Sequence, residues 1–307
     1  RHTTPSVSPV SPSERVAPEP STARRGSRAW IIILLIVALL ALAAYFFFQN
    51  GGLERLGVGA IRPDETGLAE RIRGAAPGAT ITLGKGVFTL QEAVVIQNAI
   101  TIRGAGVDET QLTVLGGGSA IVLNSGGEVL LQNLSILYDG EAAADVILVR
   151  GGSAALSDCR VAGGRWDPEV QAGGRGLVMQ GTSTGKITRC EFVNNDTLGL
   201  EIREQANPTI SENLIHQNRG GGLGVRDSAQ PLVEKNIVRE NGQSGLTYSD
   251  LATGKSVRNE ITDNALSGIA ITGQAAPLVV ENTVLRNLEF GVQVSETARP
   301  MLLSNSF

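Results

Sequence analysis

Apolar and polar residues alternate along this chain in short runs, and the runs recur at a fixed interval. From residue 176 onward the large apolar side chains fall in pairs two apart: Leu200 and Ile202, Leu223 and Val225, Leu246 and Tyr248, Ile269 and Ile271, Val292 and Val294. Each pair lies 23 residues after the one before it. An alternation of period two predicts strands with one buried face. Two further apolar columns keep the same interval. One reads Phe192, Ile215, Val238, Ile261, Val284, Phe307. The other runs through Leu130, Leu156, Ile187, Ile210, Val233, Val279 and Leu302, with Ser256 the polar interruption. Three short strands per unit, each stacked about 4.8 Å from its equivalent in the next unit, predict a parallel solenoid. Helical repeats need longer units and helix-forming runs, which these Gly-, Asn- and β-branched-rich units lack.

The polar positions hold the same register. Asn213, Asn236, Asn259, Asn282 and Asn305 form one file, with Cys190 one step back, and Asn195, Asn218, Asn241, Asn264 and Asn287 form another. Gly176, Gly199, Gly222, Gly245, Gly268 and Gly291 form a third. A stacked Asn can bond to the amides above and below it while its own backbone turns in the left-handed region, and glycine suits a corner of positive φ. The units have the form N-x-[IV]-x-x-N-x-x-x-G-[LIV]-x-[LIV]. In this they resemble the right-handed parallel β-helix repeats of the pectate-lyase-like superfamily, and most closely its non-pectinase branch, which includes the periplasmic copper-maturation β-helix proteins. The resemblance covers residues 65–307 and speaks for fold rather than activity. The expected fold class is all-β: a right-handed parallel β-helix with 23-residue coils, preceded by a disordered tail and one transmembrane helix.

Upstream the pattern changes. Residues 1–28 are rich in Pro, Ser, Thr and Arg, with almost nothing to bury, and predict a disordered cytoplasmic tail. The chain begins at Arg1, so it is expected to start inside a longer polypeptide. Residues 29–48 carry no charge and are long enough to cross a bilayer core. Arg24, Arg25 and Arg28 precede this run, which predicts the tail inside and the β-helix outside the cell membrane. A cleaved signal peptide, with Ala41-Leu42-Ala43 as its site, is the competing reading. Residues 49–64 read as a linker. Residues 66–76 place Leu68, Ile72 and Ala75 at helical spacing, as expected of a helix that plugs the open end of a solenoid. Phe307 falls in an inward column, which predicts either further sequence downstream or an exposed apolar end prone to association.

Candidate chemistry sits at departures from the repeat. Residues 163–175 hold an eight-residue excess and contain Trp166, and insertions in solenoids map to loops on one face. Trp166, beside Asp167, Arg165 and Arg175, could stack on a sugar, or fold back onto the coil. Cys159 and Cys190, the two cysteines, fall at one corner of neighbouring coils. A buried thiol stack is expected there and a disulfide is the alternative. Glu204, Asp227 and Asp250 form a file of like charge, with Arg203 and Arg226 beside it as neutralisers. Ca²⁺ held by that file is the sharper reading and solvated turn acids the plainer one. Both histidines stand apart, His2 in the tail and His216 facing outward on a turn.

The net charge of −4 and pI of about 5.4 argue against a nucleic-acid partner. An aromatic content of 4% is low for an enzyme that stacks sugars, and these histidines form no Ser/His/Asp set. The resemblance implies that an enzyme of this fold would use carboxylates and an Arg or Lys base on one strand face. Here that face offers Glu201, Arg203 and Arg226. The reading preferred on sequence is a membrane-anchored binding or sensor module for a glycan or surface protein, the outer part of a one-pass bacterial receptor. Its ligand-binding candidates are Trp166, Asp167, Arg175, Arg203 and Arg226, and no cofactor is called for beyond Ca²⁺. The alternatives are a polysaccharide lyase or hydrolase acting on acidic glycans, and a structural surface spacer.

Overall fold

The computed structural model describes residues 59–307, together with residues 35, 36, 38–42 and 45. The chain divides into two units, residues 1–52 and 53–307. In the first unit the described residues are helical. Among the described residues no helix is long and apolar enough to cross a membrane. The expected tail, most of the expected span over 29–48 and the linker as far as residue 58 lie outside the described residues.

The second unit is a parallel β-helix. It opens with a short helix, α1 (Leu68–Arg73), whose Leu68 and Ile72 are buried on the first strands. Arg71 and Arg73 in its last turn suit the negative end of the helix dipole. Three stacks of parallel strands follow. One begins at Thr80–Thr82 and passes in register through Leu131, Leu156, Ile187, Ile210, Val233 and Ser256 to Met301–Leu303. The second runs from Gly86–Leu90 to Thr283–Leu285. The third, which carries the candidate site, runs from Val94–Ile96 through Leu177–Met179, Leu200–Ile202 and Leu223–Val225 to Val292–Val294. From residue 177 onward every rung pairs with the residue 23 further on, as in Leu177 with Leu200 and Leu200 with Leu223. Inward aliphatics fill the centre, each contributing about 1.5–3 kcal/mol by burial.

Four expectations are corrected at this level. The apolar column that continues through Leu156 and Ile187 contains Leu131, not Leu130, because Leu131 is the residue opposite Leu156 and the irregular early coils shift the register by one. The stacked asparagines do not turn the corners themselves. The residue before each one does, with Glu212, Lys235, Arg258, Glu281 and Ser304 at φ 58, 53, 53, 53 and 52. This leaves each Asn free to point inward. The glycine file is not at positive φ either. A Cβ on Gly245 would lie 2.6 Å from Ile261 Cγ2 and 2.8 Å from Asn264 Nδ2, so close approach of the next coil demands glycine there. His216, expected outward on a turn, is buried on strand Leu214–His216 against Glu191.

Two amide files bind the coils together. Asn236 Oδ1 accepts from both the backbone N–H and the side-chain amide of Asn213, each at 2.9 Å. Asn236 Nδ2 donates to Asn259 Oδ1 and to the Ile210 carbonyl, each at 2.9 Å. The pattern repeats to Asn305, and a parallel file runs from Asn195 to Asn287. Cys190 begins the first file by donating its backbone N–H to Asn213 Oδ1. Cys159 and Cys190 are buried free thiols, and the Cys159 thiol is pushed up by its contact with Cys190 and by burial. Ser256, the polar interruption, is fully buried beside Tyr248, whose hydroxyl burial pushes far above its ordinary value. At the last rung Val294, Leu302 and Phe307 are exposed.

Candidate functional site

The outward positions of the third strand stack change character along the unit. Val122, Leu148 and Val178 form a buried apolar cluster on that outer face. The next position in register is Glu201, followed by Gly224, Thr247, Ala270 and Gln293. Glu201 is only 4% exposed, so its carboxylate needs compensation. Three arginines supply it. Arg175 Nε lies 3.0 Å from Glu201 Oε2, Arg226 Nε 3.1 Å from Oε1, and Arg203 Nη1 3.6 Å from Oε2. Arg175 comes from the end of the insertion, while Arg203 and Arg226 follow equivalent strands of successive coils. Asp145 steadies Arg175 at 3.3 Å, and Gln180 Oε1 accepts from Arg203.

These contacts bring charge against charge without aligned hydrogen bonds. Glu201 Oε2 and Arg226 Nε are both buried without a hydrogen-bond partner. Three cations face two carboxylates, and Arg226 is the most solvent-exposed of them at 40%. The arrangement is a cationic patch whose guanidinium donors are only partly used. Such a patch matches planar carboxylates presented from solvent.

The other expected site residues fall elsewhere. Glu204 Oε2 accepts from the Gly181 N–H at 2.8 Å, Asp227 Oδ2 from the Glu204 N–H at 2.9 Å, and Asp250 Oδ2 from the Asp227 N–H at 3.2 Å. The acidic file therefore caps backbone amides one coil back, and Arg203 and Arg226 neutralise Glu201 rather than this file. Among the described residues no group of three or more His, Cys, Asp or Glu side chains gathers as metal ligands do. Asp167 Oδ1 accepts from the Glu169 N–H and closes the tip of a small hairpin, Trp166–Asp167 against Ala172–Gly173. Trp166 is half-buried and lines a cleft of about 550 Å³ with Thr197, Leu198, Arg219 and Gln243.

A second polar cluster was not legible in the repeat. His216 Nε2 lies 3.0 Å from Glu191 Oε1, and Arg160 bridges Glu191 to Asp108. Burial alone would raise the Glu191 carboxyl. The contacts from His216 and Arg160 outweigh it and hold the group below its ordinary value. Arg160 and Glu191 stack in register across the insertion, so their spacing is 31 rather than 23 residues and the periodic signal misses them.

Residues 145–307, more than half of the chain, match the family described as the right handed beta helix region. The chain belongs to that family. No curated protein matches this β-helix protein. Among solved structures it is similar to the A-module of the Azotobacter vinelandii mannuronan C-5 epimerase AlgE4, at 18% identity and a TM-score of 0.66, over 82% of this chain and 76% of that one. It is similar to the pectate lyase Pel9A at 12% identity and a TM-score of 0.63, over 80% and 78%. An alginate lyase from Paenibacillus sp. str. FPU-7 aligns at 13% identity and a TM-score of 0.52, over 78% and 96%. At these identities the likeness is one of fold.

Proposed function

We propose that this β-helix engages an acidic polysaccharide across the face formed by Arg175, Arg203 and Arg226 around Glu201. One observation carries the reading: three guanidinium groups converge on a single buried carboxylate, and Arg226 Nε and Glu201 Oε2 are left without a hydrogen bond. A uronate carboxylate arriving from solvent would find donors already gathered, with their mutual repulsion held down by Glu201. The catalytic form of this reading is elimination or C-5 epimerisation of a uronate. Both reactions begin by neutralising the sugar carboxylate so that the neighbouring C–H can lose its proton. Arginine supplies that neutralisation, and similar folds carry proteins named an epimerase, a pectate lyase and an alginate lyase.

The binding-only form is favoured by Glu201 itself, whose carboxylate is held between three cations and so is poorly placed to act as a base. On either form the apolar run over 29–48 anchors the chain in the cell membrane, with the β-helix outside. Protease treatment of intact cells should then remove the β-helix and leave the tail.

The deciding experiment titrates the chain with polygalacturonate and polymannuronate hexamers. Ultraviolet absorbance would report a C4–C5 double bond formed by elimination, and NMR would report inversion at C5. Binding that the double variant Arg203→Ala/Arg226→Ala weakens at least tenfold supports the reading. Failure to bind either hexamer overturns it and leaves a surface spacer.

A further inference from the structure

Beside the arginine face, at the turn that leads into Leu200–Ile202, the cleft containing Trp166 has no place in the reading above. Its volume, about 550 Å³, lies within the usual range of small-ligand sites. The Trp166 backbone is held rigidly. Its N–H donates to Asp196 Oδ2 at 3.1 Å, and Trp166 pairs with Gly173 across the hairpin. The hairpin is tied in turn to the next coil, where the Thr197 N–H donates to the Gly174 carbonyl at 2.8 Å. The backbone that carries the half-buried indole is therefore fixed beside the cleft that Trp166 lines.

Two polar groups in the cleft lack partners. Thr197 Oγ1 is buried without a hydrogen bond, a condition that native structures seldom leave unanswered. The Arg219 guanidinium enters no ion pair or side-chain hydrogen bond among the described residues. The cleft also adjoins the arginine face. Leu198 lines it, and Leu198 Cδ1 lies 3.0 Å from where a Cβ on Gly224 would sit, while Gly224 is the register neighbour of Glu201. Leu198 thus covers the buried Gly224 and forms the surface between the two regions.

We propose that this cleft is a second saccharide subsite, in which Trp166 stacks on the apolar face of a pyranose and Arg219 takes the carboxylate of a uronate. This deepens the acidic-glycan reading and rests on it. A chain held at Arg226 would continue over Leu198, which covers Gly224, to reach Trp166 and Arg219.

The chain has two tryptophans, so in a Trp30→Phe background Trp166 reports alone. Fluorescence is read while polygalacturonate and polymannuronate hexamers, and neutral maltohexaose, are added, and calorimetry gives the affinities. The expected result is a saturable change in Trp166 emission with an acidic hexamer. Trp166→Ala and Arg219→Ala should each weaken its binding about tenfold, with Trp166→Phe keeping most of it. Arg219→Ala keeps the test decisive if Trp166→Ala does not fold. Acidic-hexamer binding that Arg226→Ala weakens, with Trp166 emission unchanged and Arg219→Ala without effect, overturns the subsite alone. Equal binding of maltohexaose overturns the role given to Arg219. No binding of any acidic hexamer overturns both the subsite and the reading beneath it.

Discussion

The Asn236 side chain makes four ladder contacts, accepting two hydrogen bonds from Asn213 and donating to Asn259 and Ile210. Replacing it by Ala would strand buried donors and acceptors on both neighbours, and we expect a loss of about 2–4 kcal/mol in denaturant unfolding. Asn305→Ala at the last rung should cost under about half as much, because Asn305 is half-buried and its amide donates only to Val279. Gly245→Ala tests the glycine file. The added methyl would meet Ile261 and Asn264 within 2.8 Å, so the melting temperature should fall as it does on overpacking, by an amount worth about 1–3 kcal/mol. These positions are visible in the sequence because their role repeats. What each one does is not visible. Periodicity marks Gly245 as special, but whether the demand is a torsion or a neighbour depends on the distance to the next coil. The same holds for Ser256, a break in an apolar column until Tyr248 is seen beside it.

At the scale of elements, each regular coil from residue 181 onward turns three corners through single left-handed residues, as in Asp227, Lys235 and Glu240 at φ 56, 53 and 56. Each such corner costs about 1–2 kcal/mol in a residue other than glycine. The hydrogen bonds of the adjoining Asn files and acidic caps offset this. The acidic file illustrates how tertiary context reassigns a feature: read along the chain, Glu204, Asp227 and Asp250 are three like charges, and in the fold each is an acceptor for a backbone amide of the coil before. The cluster of Arg160, Glu191 and His216 gives a pH test. Because Glu191 is held below its ordinary value, its contribution is present above the unfolded carboxylate range and is lost as pH falls through the folded value. Glu191→Gln should therefore lose less melting temperature than the parent between about pH 5 and pH 3. A parallel loss in both proteins would show that Glu191 does not contribute.

Across the whole β-helix unit, the first rung and the arginine face depend on contacts that no single repeat contains. α1 seals the first coil with Leu68 and Ile72. Ile72→Ala should cost about 2–4 kcal/mol and raise the tendency of the unit to associate through its uncovered first strands, measured by unfolding and light scattering. Glu201→Gln should leave anion binding intact or strengthen it while lowering thermal stability, since it relieves the attraction that gathers three arginines. A loss of hexamer binding in that variant would instead show that the carboxylate is needed to keep the three arginines gathered for the ligand. The sequence by itself determined the coil length, the strand stacks, the amide files and the place of the insertion, because a solenoid repeats its contacts along the chain and a repeated physical demand leaves a repeated residue. Only the tertiary structure decided that Arg175, Arg203 and Arg226 meet at Glu201 and that Trp166 shares a cleft with Arg219. Arg203 and Arg226 share the 23-residue register and one face with Glu201, but Arg175 and Trp166 come from a loop outside the repeat, so what they meet is set by where that loop lies on the stacked coils.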